Sequence, residues 1–129
     1  MITEVFSYIA AAEFTGLAVF QLLLALGLPF GKAACGGRYT RLPGRLRFAS
    51  LVSAAVLMTS AIVVLERADI VSCFNHATAI MIAVWFLFGY LVLNTIANLA
   101  SRSRTEKYIM TPVSLIAALS CLVVALTAG

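Results

Sequence analysis

The chain has 129 residues, 63% of them hydrophobic and 11% charged, with a formal net charge of +4. Ordinary globular domains are about 45–50% apolar and about 25% charged, and a soluble domain this small has too little interior to hide the excess. The composition therefore argues against a water-soluble domain and for a bilayer, whose hydrocarbon core of about 30 Å takes about 20 apolar residues per helix.

Four apolar runs predict an all-α bundle of four transmembrane helices, over about 5–29, 48–65, 77–97 and 104–127, in one domain spanning 1–129. The first run is too long for a signal-peptide core, and the start MITE has no basic region, so it reads as a retained helix. Pro29 is expected to end it. Glu13 and Gln21 are its internal polar residues. Ala12 and Gly16, small residues four apart, predict close approach by another helix.

The stretch 29–47, PFGKAACGGRYTRLPGRLR, is the longest polar interruption in the first hundred residues. It carries Lys32, Arg38, Arg41, Arg45 and Arg47, five of the nine basic residues. Gly36-Gly37 and Leu42-Pro43-Gly44 supply turns. The second run is rich in Ala and Ser, and the pairs Ala49/Ser53 and Ser50/Ala54 predict packing against other helices.

The connection 66–76 holds one basic residue, Arg67, beside Glu66 and Asp69. Along the third run, Tyr90, Asn94 and Asn98 recur every four residues and mark a polar face. Ser103 and Glu106 fit a capping box that starts the fourth helix about one turn before the membrane. Pro112 is either a kink or the first residue of the buried part.

Charge fixes the expected orientation. The first and third connections, which include Arg102, Arg104 and Lys107, hold eight basic residues. The second connection has one and the termini have none. The positive-inside rule places both basic loops in the cytoplasm and both termini outside.

Chemistry is sparse. A single histidine excludes a bis-histidine haem site within one subunit. There is no Cys-x-x-Cys pair, no phosphate-binding loop and no nucleophile beside a base. No enzyme and no cofactor are expected. Cys73, His76, Asp69 and Glu66 are a weak metal set, since zinc takes three or four ligands in fixed geometry. Cys35 and Cys73 fall on opposite sides of the membrane, and Cys121 reads as a small packing residue.

Two groups remain as candidates. Glu13 is the one acidic residue inside a span, and burial would make it a proton-coupling group. Counting twenty residues back from Pro29 places it one turn below the outer surface, within reach of headgroups or Arg67. Gln21, Tyr90, Asn94 and Asn98 either line a small pocket near the basic loop or act as interhelical hydrogen-bond glue. The cations Lys32, Arg38, Arg41, Arg45, Arg47, Arg102 and Arg104 either set topology alone or contact anionic headgroups. The expected partners are the lipid bilayer, anionic lipids, and a second copy or another membrane protein. Nothing suggests nucleic acid.

The segments 21–37 (QLLLALGLPFGKAACGG), 42–50 (LPGRLRFAS) and 98–107 (NLASRSRTEK) resemble a group of small bacterial four-helix membrane proteins with no established activity. The resemblance implies a fold and a bacterial cytoplasmic membrane, but no mechanism. A glutamate in helix one also suggests the small multidrug-resistance exporters. Their connections are very short, whereas the first one here is long, and their helix-three motifs are not evident. Members of that group that insert both ways need a weak charge bias, unlike the eight-to-one bias here. The function expected is a non-enzymatic accessory module or one that binds lipid or a soluble anion; the alternative is a small oligomeric transporter or channel using Glu13.

Overall fold

The computed structural model describes residues 1–29, 41–101 and 103–128. Lys32, Cys35, Arg38 and Arg102 lie outside the described residues. Among the described residues the chain is all helical. Helix α1 is Ile2–Ala25, α2 is Gly44–Arg67 and α3 is Ala77–Leu99. A π-helical turn, Glu106–Met110, leads directly into α4, Thr111–Thr127. All four spans are long and apolar enough to cross a membrane. At 1.5 Å per residue, the 24 residues of α1 reach about 36 Å.

Each helix packs mainly on its neighbours in sequence, and α4 returns to α1 to close a four-membered ring. Helices α1 and α3 are diagonal and barely touch. Two ends result. One holds both termini and the α2–α3 connection, and is called here the termini end. The other, the basic end, holds the α1–α2 and α3–α4 connections.

The ring is held by small residues. Ala10, Ala11, Ala61, Ala117 and Ala118 are buried with Phe14, Val64, Val84 and Val124. Lipid is as apolar as leucine, so helix association depends on close van der Waals packing, which small side chains permit. Ser50 and Ala54 are buried, as their spacing predicts, while Ala49 faces out. The pair Ala12/Gly16 points away from the bundle, and nothing lies within 4 Å of a Cβ built on Gly16. Spacing identifies a small-residue face but not its direction.

Helix ends differ from those expected because hydropathy marks the membrane while backbone chemistry marks the helix. Helix α1 stops at Ala25, four residues before the expected limit, in a Schellman motif. Leu28 N–H donates to Leu23 O at 3.2 Å, and Gly27 N–H to Leu24 O at 3.0 Å. Gly27 takes φ +88°. From the start of α2, Arg47 Nε donates to Ala25 O at 2.8 Å, so a cation closes the carbonyl end of α1. Helix α2 begins at Gly44, four residues before the apolar run, because the Pro43 carbonyl accepts the Leu46 and Arg47 N–H groups. It ends in a second Schellman motif: Ile70 N–H reaches Leu65 O, Asp69 N–H reaches Glu66 O, and Asp69 takes φ +62°.

These two left-handed residues predict opposite outcomes. Gly27→Ala carries a left-handed cost of about 1–2 kcal/mol and sets a Cβ 3.3 Å from the Arg47 guanidinium. Asp69→Gly relieves a smaller strain and gains up to about 1 kcal/mol. Unfolding titrations in mixed micelles check both signs.

Pro112 is the second residue of α4, immediately after the π turn. A proline lacks an N–H and crowds the carbonyl four residues back. The wider π turn relieves that conflict without ending the helix. The capping box forms in its forward direction, with Glu106 N–H donating to Ser103 Oγ at 3.4 Å, while Ser103 N–H donates to Ser101 Oγ at 3.1 Å.

Candidate functional sites

The structure distributes the candidate residues among separate places. Asn94 Nδ2 donates to Ser114 Oγ at 2.7 Å and Asn98 Nδ2 to the same oxygen at 3.1 Å. Ser114 is buried at 3% exposure, so both its lone pairs are occupied by α3. This is interhelical glue between α3 and α4. Tyr90 is 58% exposed on the outside of the bundle. Gln21 is half-buried on α1, the helix diagonal to α3, and makes no hydrogen bond to a described residue. Gln21 and Asn94 thus stand on helices that barely touch, and no hydrogen bond between described residues joins them.

Glu13 stands at the middle of α1, twelfth of its 24 residues. Ending the helix at Ala25 rather than Pro29 places Glu13 deeper from the outer end than the expected single turn. It is half-buried, and its Oε2 is closed off with no hydrogen-bond partner. It makes no ion pair with Arg67, whose Nη2 donates instead to Ala128 O at 2.9 Å. Across the α1–α4 seam, Cys121 is wholly buried and near enough to feel the Glu13 charge. Beside it Ser120, 1% exposed, has a hydroxyl with no partner. Sequence reading missed Ser120, one serine among many. Its signal is the seven-residue step to Thr127, which puts both on one helix face.

At the termini end, Glu66 organises the α2–α3 connection. Its Oε1 accepts N–H bonds from Cys73 and Phe74 at 2.7 and 2.8 Å, and its Oε2 accepts one from Asn75 at 2.9 Å. Asn75 turns the chain at φ +58°, and the Ser72 hydroxyl donates to its side-chain oxygen. Burdened with three amides, Glu66 is poorly placed to ligate a metal. Among the described residues no group of three His, Cys, Asp or Glu side chains could hold one. An open cleft of about 390 Å³ lies here, lined by Arg67, Asp69, His76 and Ile80 among others.

At the basic end, Arg41, Arg45 and Arg104 are exposed and make no ion pair with a described residue. Arg47 differs, being committed to the end of α1. Lys107 lies 5.9 Å from the centre of the Tyr108 ring, a loose cation–π contact. No family model matches the chain, nor does any curated protein or solved structure.

Proposed function

We propose that the protein is a non-enzymatic, multi-pass module of a bacterial cytoplasmic membrane, with both termini outside, that holds anionic lipid headgroups at its basic end. The observation that carries this reading is the set of exposed guanidinium groups of Arg41, Arg45 and Arg104 at one end of the bundle, without carboxylate partners among the described residues. A basic residue near an anionic membrane surface contributes about 1 kcal/mol, reduced by salt. Guanidinium forks also match phosphate oxygens in geometry.

The test is lipid preference in native mass spectrometry, phosphatidylglycerol against phosphatidylcholine. The triple variant Arg41→Gln, Arg45→Gln, Arg104→Gln loses roughly tenfold of that preference. Arg47→Gln keeps it and instead lowers stability, since Arg47 caps α1. A triple variant that retains phosphatidylglycerol as tightly as the parent removes the proposal.

A second reading, a small oligomeric transporter or channel, is favoured by one observation, the unpartnered mid-span carboxyl oxygen of Glu13. Ionisable groups inside membranes mark ion and proton paths more often than they serve packing.

A further inference from the structure

Two orphaned polar atoms lie on the two sides of one seam. Glu13 Oε2 and Ser120 Oγ are both closed off from the surface, and neither has a hydrogen-bond partner. Each such group in a low-dielectric interior costs free energy, so both call for a common explanation.

The register of the seam follows from its rim. Thr127 donates its hydroxyl to Val123 O at 2.6 Å, so Thr3 is the donor in the 2.6 Å bond between Thr3 and Thr127. Seven residues inward on each helix, two turns along the same face, come Ala10 and Ser120. Ala10 and Ser120 are both buried, so the register of the rim bond carries inward to that level. Glu13 is one turn further in, and helical side chains lean back towards the N-terminus, here towards Ser120. From Thr3 to Glu13 is about 15 Å of helix. Hydroxyls therefore mark the rim and the middle of this half-seam, and the carboxyl marks its inner end.

We propose that the α1–α4 seam gives protons access to Glu13 from the termini end, through water held between the rim hydroxyls and Ser120. A proton delivered by that water forms an O–H bond on a Glu13 carboxylate oxygen. Its departure returns the carboxylate, and no electron moves. A proton suits the site better than a metal cation, since a hard cation takes six or more oxygens and the Glu13 and Ser120 side chains offer three. Few charges compete. Between Phe48 and Leu65, α2 has no ionisable residue, and α3 offers only the exposed, distant Tyr90. The α4 thiol Cys121 is the one titratable neighbour across the seam. At the rim, Arg67 Nη2 donates to Ala128 O while its buried Nε has no partner, and Glu4 pairs with the chain's own ammonium at 2.6 Å. The inference rests on the mid-span placing of Glu13 and is independent of headgroup binding.

Infrared spectroscopy of the intact protein in liposomes tests it. The Glu13 carboxyl band is identified by its loss in Glu13→Gln. It shifts promptly in heavy water and titrates reversibly with bulk pH. Ser120→Val, which replaces the hydroxyl with a methyl group and adds one carbon, slows that exchange several-fold. Ser120→Ala does the same where the valine variant unfolds. Ser60→Ala is the control, because the Ser60 hydroxyl donates to Val56 O on α2 and leaves exchange unchanged. A water-soluble carbodiimide supplied at the termini end, identified in sealed vesicles by impermeant labelling of Cys73 with Cys35 replaced by Ser, modifies Glu13 faster than from the other end. A Glu13 band that neither exchanges nor titrates overturns the proposal. So does equal exchange in the Ser120 variants, or faster modification from the basic end.

Discussion

Ala117→Phe forces α4 away from α1 and lowers the free energy of unfolding by about 3 kcal/mol. Ala117 has no exposed surface and lies in the small-residue core where α4 meets α1. A phenyl ring there must displace a buried cluster built largely of alanines, among them Ala10, Ala11, Ala61 and Ala118, whose side chains cannot swing aside. The only relief is separation of the helices, which forfeits the close contact that holds a bundle together in lipid. Leu119→Phe, two residues on and 49% exposed, changes stability by less than about 0.5 kcal/mol. Reversible unfolding in mixed micelles, followed by helical signal, measures both. Equal effects at the two positions mean that α4 does not present this face to α1.

Phe14→Ala is expected to cost about 3 kcal/mol or more, whereas Phe86→Ala costs almost nothing. Both are phenylalanines in mid-helix, and composition does not separate them. Phe14 is 1% exposed in the core, while Phe86 is 73% exposed and faces the surrounding solvent, which in a bilayer is lipid. In water the outward ring is the anomaly. In hydrocarbon neither position gains from hiding apolar area, so the difference between them is packing alone. The same unfolding assay decides the matter, and a loss at Phe86 matching that at Phe14 points to a protein surface over α3.

The number and order of the spans were legible because hydropathy needs no knowledge of contacts. Helix ends were less so. Pro29 looked like the natural stop, yet Gly27 ends α1, because a left-handed residue can satisfy the last carbonyls and a proline cannot. Because α1 both starts at Ile2 and stops at Ala25, Glu13 falls at the middle of the helix rather than one turn from its outer end. Asn94 and Asn98 showed in the sequence as a polar stripe, but Ser114 did not, because its part depends on the pairing of α3 with α4. Gln21 looked like a companion to Asn94 on depth alone. Ring order, which no local pattern carries, puts α1 and α3 on a diagonal. Ala12 and Gly16 fail for a related reason: a small stripe says two helices can approach, and only the fold says from which side.

The bond between Thr3 and Thr127 joins residues 124 positions apart. The α1–α4 seam therefore forms only after α2 and α3 have been made. Until α4 has entered the membrane, Glu13 has only α1 and whatever lies beside it for company. Biogenesis of this protein thus contains a waiting period, in which the first helix carries an unsealed carboxyl through the insertion of the next two. Its pairing with α4 is the step that ends that exposure.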